Sequence, residues 1–156
     1  MSDADIAHHL ARCIPGPPKV RWTDYGTIAE AVRLLTPARS RESELNGWRV
    51  AMLLLPREHA PWHRLRNKEG VFNVPRGREN PEKIKAGRDQ QLREEGCPVD
   101  ASGGADRRHF IGAGELLKVA GVTPLHDPLA AARAADPDLE ARVAARRAAR
   151  RAERGF

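Results

Sequence analysis

Apolar residues recur with helical spacing in three consecutive stretches, and a proline ends each stretch. The first stretch comprises Ile6, Leu10, Cys13 and Ile14. It is followed by the proline-rich residues 15–18, and either Ser2 or Asp3 precedes it as a possible cap. Proline has no backbone N–H to donate and clashes with the preceding helical turn, so a helix does not continue through it. The N-terminal part of the chain therefore predicts short helices joined by tight turns.

The second and third stretches together predict a helix-turn-helix. Asp24 is a suitable cap for the second helix, which ends before Pro37 and carries Tyr25, Ile28, Ala29, Val32 and Leu35. The third helix is expected at residues 43–55, after Ser40 or Ser43 as its cap and before Pro56. Its apolar stripe comprises Leu45, Trp48, Met52 and Leu55. Two helices joined by a short polar turn are typical of this DNA-binding unit.

Beyond Pro61 the apolar pattern changes. Arg64-Leu65-Arg66 and Val71-Phe72-Asn73-Val74 flank the residues Asn67-Lys68-Glu69-Gly70, which predicts two short strands around a turn, a wing beside the helix pair. Asn80-Pro81-Glu82 then predicts a helix start and Gly96 its end, so Glu95 lies on the last turn. The expected fold class is mostly α with a short β wing: a winged helix-turn-helix domain over residues 1–113.

Residues 114–156 are predicted to form a helical, Arg/Ala-rich C-terminal extension. Asp136-Pro137 is a helix start, and the arginines that follow lie in two rows with i, i+4 spacing: Arg142, Arg146 and Arg150, then Arg147 and Arg151. Apart from Leu139 and Val143 this helix has little to bury. Three interpretations stay open: a basic helical appendage, a partly disordered tail, or a helix docked on the acidic residues 94–140.

The net charge of +6 is unevenly distributed. Counting Lys and Arg against Asp and Glu gives +1 for residues 1–56, +5 for 57–93, −5 for 94–140 and +5 for 141–156. Segregated basic blocks attract phosphate more strongly than the same charge spread evenly. We therefore expect nucleic acid as the partner, with a solvated surface that binds nothing as the alternative.

The composition argues against a membrane partner and against a metal or cofactor site. The chain has no run of about 18 apolar residues, and its acidic start lacks the order of a signal peptide, so we expect a cytoplasmic, nucleoid-associated protein with no membrane partner. The two cysteines, Cys13 and Cys97, fit neither a disulfide framework nor a metal-ligand spacing. We expect no metal and no cofactor.

The most informative run is Pro61-Trp62-His63-Arg64, followed about thirty residues later by Glu94-Glu95-Gly96. It resembles the active-site segment of the O(6)-alkylguanine-DNA alkyltransferases, in which Pro-Cys-His-Arg-Val precedes a turn ending in Gly and, later, a helix ending in Glu-Gly. It is more similar still to the alkyltransferase-like proteins, whose motif is Pro-Trp-His-Arg. Upstream, the family's Ile-Pro-x-Gly-x-Val and Thr-Tyr-Gly-x-Ile-Ala signatures resemble Ile14-Pro15-Gly16 with Lys19-Val20, and Tyr25-Gly26-Thr27-Ile28-Ala29. The resemblance covers roughly residues 4–100.

This resemblance implies binding without catalysis. In the alkyltransferases a cysteine thiolate, activated through His and Glu, attacks the alkyl carbon, because transfer to an sp³ carbon needs a strong nucleophile. Position 62 is tryptophan, whose indole has one N–H donor and no accessible lone pair. The implied protein is no enzyme: Trp62 would pack against a modified base in a pocket.

The resemblance also implies roles for the residues around Trp62. The implied lesion pocket comprises Trp62, His63, Glu95, Tyr25 and Pro61. His63 and Glu95 match the residues that polarise the nucleophile, and without a thiol they would hold the shape of the pocket. Tyr25 matches the tyrosine that presses on the phosphate beside an extruded nucleotide. Ordinary core packing is the alternative for Trp62 and Tyr25.

The expected DNA contacts come from the 43–55 helix in the minor groove and from basic residues around the wing: Asn46, Gly47, Arg49, Arg64, Arg66, Lys68, Arg76 and Arg78. Arg64 is largely structural in the family, and we expect the same here. Three positions depart from the family. Its recognition-helix arginine is Asn46, its close-contact glycine is Arg49 and its pocket asparagine is Leu55. Gly47 and Arg49 would take over the functions of the arginine and the glycine only with a shifted helix register.

Three functions are therefore compared. The first is a non-catalytic protein that recognises O(6)-alkylguanine or a related base in double-stranded DNA by minor-groove binding and nucleotide flipping, and marks it for repair by nucleotide-excision repair proteins. The second is a winged-helix architectural or regulatory DNA binder with a vestigial pocket, which Asn46 and Leu55 favour. The third is an enzyme that uses His63 and Glu95 for acid/base chemistry.

Overall fold

The computed structural model describes residues 2–37, 45–57, 59–125 and 139–153. The chain divides into two compact units, Met1–Pro124 and Leu125–Phe156. The boundary predicted after residue 113 lies too early, because Leu116 and Leu117 are buried in the core of the first unit.

Most of the described chain is helical, which confirms the predicted mostly-α class. In the first unit the described residues form five α-helices: α1 (Asp3–Arg12), α2 (Tyr25–Leu35), α3 (Gly47–Leu54), α4 (Pro81–Glu94) and α5 (Ala113–Ala120). The second contains α6 (Leu139–Glu153), as predicted, whereas Asp136-Pro137 lies outside the described residues. None of the helices described is long and apolar enough to cross a membrane.

The caps of the first three helices explain where each helix begins. Ser2 caps α1 in a reciprocal capping box with Asp5, and the Asp24 carboxylate accepts the N–H of Thr27 in α2, as predicted. In α3 the prediction was wrong, because the helix begins at Gly47 and Asn46 is its cap. An asparagine carbonyl at this position satisfies the otherwise unpaired N–H of Arg49, at 2.9 Å. Ser40 and Ser43 lie outside the described residues.

The buried face of α3 also differs from the prediction. Val50 and Leu54 are fully buried, whereas Trp48 is 73% exposed and Met52 43% exposed. Both pairs have the i, i+4 spacing that places two side chains on one face of a helix. Because nearly every residue of this helix is apolar, spacing alone does not determine which face is buried.

The two short strands pair differently from the predicted wing. β1 (Thr23–Asp24) and β2 (Leu65–Arg66) form a parallel pair, with Thr23 opposite Leu65. The predicted turn at residues 67–70 forms, but residues 71–74 form no strand, so the predicted hairpin was wrong. The Asn67 side chain accepts the N–H groups of Glu69 and Val71, both at 3.0 Å, and so competes with a strand ladder.

The part of the first unit that the structure describes contains two apolar clusters. The larger lies among α1, α2, α3 and α5 and includes Leu10, Ile28, Val32, Leu54 and Leu116. The smaller surrounds Trp22 with Leu92 of α4, Cys97 and Val99. Residues 97–113 partly enclose this second cluster. Phe110 forms a bridge with Trp22, and its ring packs edge-on against the indole.

The position of Glu95 is determined by where α4 begins and ends. The helix begins at Pro81, as predicted, but Asn80 adopts a left-handed conformation (φ 51°) and its side chain makes no capping hydrogen bond. Glu95 is the C-terminal cap, and Gly96 follows with φ 108°, a value that glycine adopts without strain. The helix therefore ends where the sequence predicted.

Candidate functional site

A cavity of about 800 Å³ is lined by the first residue of α2, by α3, by Trp62, by residues 72–78 and by α4. Four of the chain's seven aromatic residues line it: Tyr25, Trp48, Trp62 and Phe72. Of the other three, Trp22 and Phe110 pack together in the smaller core cluster, and Phe156 lies outside the described residues. A chain with few aromatic residues has therefore concentrated them around one cavity.

The remaining lining residues define what this cavity can bind. Six are aliphatic or apolar: Ala51, Met52, Leu55, Val74, Pro75 and Ile84. Three are cations, Arg76, Arg78 and Arg88, and none of the described lining residues is acidic. The guanidinium of Arg88 lies 6.0 Å from the ring centroid of Phe72. Flat apolar walls with cations nearby suit a planar aromatic group attached to an anion.

Trp62 occupies the position that the sequence analysis predicted for a pocket residue. It begins a 3₁₀ helix, Trp62–Arg64, is half-buried, and packs against the larger core cluster while lining the cavity. One part of the indole is therefore held by the core and another borders the cavity. Pro61 precedes this helix but does not line the cavity.

His63 and Arg64 converge on the carboxylate of Glu95. Glu95 Oε1 accepts hydrogen bonds from His63 Nε2 at 2.6 Å and from Arg64 Nε at 3.0 Å. Glu95 Oε2 accepts one from Arg64 Nη2 at 2.5 Å, and Arg64 Nη1 donates to the carbonyl of Ile14 at 3.2 Å. A Cβ atom at Gly16 would lie 2.6 Å from Arg64 Nη2, so glycine makes room for the guanidinium. This cluster ties the 3₁₀ helix to the end of α4 and to residues 14–16.

The cluster supports the cavity from outside, since neither His63 nor Glu95 lines it. Burial, together with the charges of Arg64 and Arg88, lowers the pKa of His63 despite the opposing effect of Glu95. Burial raises the pKa of Glu95, but the hydrogen bonds and charges of Arg64 and His63 leave it below its usual value. At neutral pH a neutral imidazole therefore donates its Nε2–H to an ionised carboxylate. His63 and Glu95 are therefore paired, but neither lines the cavity, where the resemblance placed both.

Tyr25 and Gly47 meet at one end of the cavity. Burial raises the pKa of the Tyr25 phenol to about 12, so it remains a neutral hydrogen-bonding group. A Cβ atom at Gly47 would lie 2.9 Å from the backbone nitrogen of Gly26. Gly47 therefore lets the first turns of α2 and α3 pack closely, which brings both Tyr25 and Trp48 to the cavity. The sequence analysis expected a DNA contact at Gly47 and missed this packing.

The predicted phosphate contact at Arg66 was wrong. Its side chain is fully buried, with Nη1 2.8 Å from Asp89 Oδ1 and 3.2 Å from the carbonyl oxygen of Gly70. Its Nε donates to the carbonyl of His63 at 3.1 Å. Arg64 is also held inside, by Glu95. The partner carboxylates lie more than 20 residues away in the sequence, so the pattern around residues 64–66 does not distinguish internal arginines from surface ones.

The other predicted DNA-contact residues are exposed: Asn46, Arg49, Lys68, Arg76 and Arg78. Arg76 and Arg78 line the cavity, Arg49 is next to Trp48 on α3, and Lys68 lies on the turn after β2. Trp48, Phe72 and Arg88 are cavity residues that the sequence analysis did not assign. These positions lie too far apart in the sequence for local spacing to group them.

Neither cysteine substitutes for a nucleophile at this cavity. Cys97 is buried in the smaller core cluster and Cys13 packs against the larger one. Burial raises the pKa of both thiols, which disfavours the reactive thiolate. Among the residues that the structure describes, no group of histidine, cysteine or acidic side chains is arranged to hold a metal ion.

No protein-family model, no curated protein and no solved structure matches this chain, so these comparisons assign it to no family.

Proposed function

We propose that this protein binds double-stranded DNA without catalysis and holds a modified base, O(6)-alkylguanine or a related purine, in the aromatic cavity. The observation that carries the proposal is the lining of that cavity. Four aromatic side chains face a space of about 800 Å³, with three arginines and no acidic group among the described lining residues. Aromatic faces stack on bases, and arginines bind phosphates.

The size of the cavity agrees with this ligand. Pockets that enclose a small organic ligand usually measure about 300–1,000 Å³, so the cavity holds one base together with an alkyl group. Trp62 and Trp48 provide flat surfaces for stacking, whereas Phe72 is buried in the cavity wall. Asn73 and the Tyr25 phenol are the lining groups best suited to hydrogen bonding with a base edge. A base reaches such a pocket only after rotation out of the duplex.

The way the protein approaches DNA follows from α3. We propose a winged helix-turn-helix arrangement in which α2 and α3 are the helix pair and the loop of residues 67–80, which contains no strand, takes the place of the predicted hairpin wing. Trp48 and Arg49 on α3 are exposed beside the cavity, and Arg76 and Arg78 are exposed in the wing. A cavity with cations on both sides allows the protein to hold the backbone around an extruded nucleotide. Minor-groove contact carries little sequence information, which suits a protein that marks damage at any site for nucleotide-excision repair proteins.

Binding without reaction is the expected outcome in this cavity. An indole stands where an alkyltransferase would need a thiolate, and both thiols of the chain are held elsewhere with raised pKa values. His63 and Glu95 hydrogen-bond to each other, which leaves them positioning the 3₁₀ helix that carries Trp62. These features support the proposal that the protein holds a modified base without reacting with it.

A competition binding assay at fixed salt tests this function. Duplexes with and without one O(6)-alkylguanine are compared on the wild type, Trp62→Phe and Trp62→Ala, with the melting temperature as a control for folding. Stacking on a base is worth about 1–3 kcal/mol, so we expect Trp62→Ala to reduce the preference for the modified duplex by about 5- to 150-fold. Trp62→Phe keeps an aromatic face and should retain most of it.

A second function is favoured by two positions. Asn46 is used as the cap of α3, and Leu55 lines the cavity where the family has an asparagine. Both suit an architectural or regulatory DNA binder whose cavity is vestigial. Equal affinity of the wild type for the two duplexes would select this second function, and failure to bind either duplex would contradict both.

A further inference from the structure

Among the described side chains of α6, which are those of residues 141, 142 and 144–152, arginines and alanines occupy opposite halves of the helix. At about 100° per residue, Arg146, Arg147, Arg150 and Arg151 fall within about 140° of the helix circumference. The alanines of the helix occupy the opposite side: Ala141, Ala144, Ala145, Ala148, Ala149 and Ala152. These arginines and alanines are all exposed. Packing does not account for this distribution, because alanine buries little apolar surface.

The arginine half is costly for the helix by itself. Arg146 with Arg150, and Arg147 with Arg151, are like-charged pairs at i, i+4, and such pairs destabilise a helix. A counter-charged partner removes that repulsion. The exposed arginines of α6 are therefore suited to an anionic partner. The spacing of their charges indicates the class of that partner.

From the chemistry of this face we propose that α6 binds the phosphate backbone of duplex nucleic acid as a second contact, independent of the aromatic cavity. The four guanidinium groups arise from about 8 Å of helix axis, since each residue rises about 1.5 Å. Duplex DNA carries about one charge per 1.7 Å of its axis, or about four to five over the same length. The two linear charge densities match.

Two other anionic partners fit α6 less well. A helix that lies on a membrane surface needs large apolar residues opposite its cations, and the opposite half of α6 is alanine. Single-stranded nucleic acid is bound largely by stacking on aromatic rings, and residues 139–153 contain none. Contacts with the duplex backbone require only exposed cations, and arginine is the side chain best suited to phosphate.

The test uses the full chain and the salt dependence of its affinity for an unmodified duplex. In one variant Arg146, Arg147 and Arg150 are changed to Gln, which keeps helix propensity and removes three charges. The matched control changes three exposed cations of the first unit that do not line the cavity, Arg12, Lys19 and Lys118, to Gln. A third variant carries Lys at the three α6 positions and keeps the charge.

Each phosphate contact contributes about 0.9 to the slope of log affinity against log salt, so the α6 Gln variant should lose up to about 2.7. The wild type loses affinity between 50 and 200 mM salt, and the factor by which the α6 Gln variant loses affinity should be smaller by up to about 40-fold. The Lys variant and the matched control should keep the wild-type slope. An unchanged slope in the α6 Gln variant, or an equal loss in the control, would overturn the inference.

The same assay separates this inference from the proposed function. Loss of the α6 arginines should weaken binding to modified and unmodified duplexes by the same factor, so the preference ratio stays constant. Loss of Trp62 should change that ratio and leave the salt slope constant. A protein with no preference for the modified duplex would contradict the cavity function alone, whereas a salt slope that does not depend on α6 would contradict the second contact alone.

Discussion

Trp22 and Trp62 lie in two regions that use the same side chain in opposite ways. Trp22 is completely buried, its indole N–H donates to the carbonyl of Asp106 at 2.9 Å, and Phe110 and Arg107 pack on its ring. Trp62 is half-buried and borders an open cavity. The Trp22 ring fills part of the core, and the Trp62 ring forms part of a cavity wall. Complete burial with a satisfied N–H indicates a structural function, whereas a partly uncovered ring in a cavity indicates binding.

The largest expected difference between the two regions is in stability. Trp22→Ala should lower the free energy of unfolding by about 3–5 kcal/mol, because it leaves a large void in a packed core. Trp62→Ala should lower it by about 1–2 kcal/mol, since less of that ring is removed from water. Chemical denaturation of the two variants measures both values. Equal losses would mean that Trp62 is a core residue, which contradicts the comparison.

Removal of a carboxylate should also lower the free energy of unfolding more in the region of Trp22 than in the region of Trp62. Asp89→Ala leaves the fully buried Arg66 charge without its carboxylate and should cost about 3–5 kcal/mol. Glu95→Ala exposes a cluster that is already 16–18% accessible to solvent, so we expect a smaller loss of about 1.5–3 kcal/mol. The same denaturation experiment applies. A larger loss for Glu95→Ala would show that the cluster beneath the cavity is the more important support of the fold.

Two glycines sharpen the comparison at a smaller scale. Gly47→Ala places a methyl group 2.9 Å from the backbone of Gly26, so it should destabilise the protein by about 1–3 kcal/mol and weaken DNA binding. Gly87→Ala, within α4, meets nothing within 4 Å and should stabilise by about 0.5–1 kcal/mol. Thermal unfolding of both variants checks this. Stabilisation by Gly47→Ala would contradict the close contact between α2 and α3.

The smallest expected effect is a pH dependence from the cluster beneath the cavity. The pKa of His63 is lowered by burial in the folded protein, so stability should fall as the pH decreases below about 6.5, where the unfolded imidazole takes up a proton. The pKa of Glu95 is also lowered, which adds a second loss below about pH 4.3.

Unfolding measured between pH 7 and pH 5 should therefore depend less on pH in His63→Asn than in the wild type. Some dependence should remain, because burial lowers the pKa of His8 in the same direction. Identical profiles for the wild type and His63→Asn would show that this imidazole does not titrate with folding.

Much of the helical fold was predictable from local chemistry, because Ser2, Asp24 and Pro81 determine helix starts through groups only a few residues away. The pairing of β2 with β1 was not, since it joins residues 42 apart and the local pattern favoured a hairpin. The cavity was predicted at Trp62 and Tyr25 through a resemblance of motifs. Trp48 was assigned to the wrong face of α3, because an almost uniformly apolar helix has no distinct polar side.

The arginines also show that local sequence patterns do not predict tertiary contacts. Arg64, Arg66, Arg76 and Arg78 are equivalent in the sequence, yet the first two are internal and the last two line the cavity. Arg64 and Arg66 are internal because α4 and its C-terminal cap place the carboxylates of Glu95 and Asp89 beside them. Long-range carboxylates of this kind cannot be paired with their arginines by spacing alone.

The central claim is that a modified base enters the aromatic cavity, and fluorine NMR of a duplex with one fluorinated O(6)-benzylguanine tests it most directly. Aromatic rings around the bound group should shift its fluorine resonance on binding. The shift should be reduced in Trp62→Ala and should stay at the wild-type value in Arg12→Gln, a surface control away from the cavity. A fluorine resonance that does not move when the wild-type protein saturates the duplex would contradict the account.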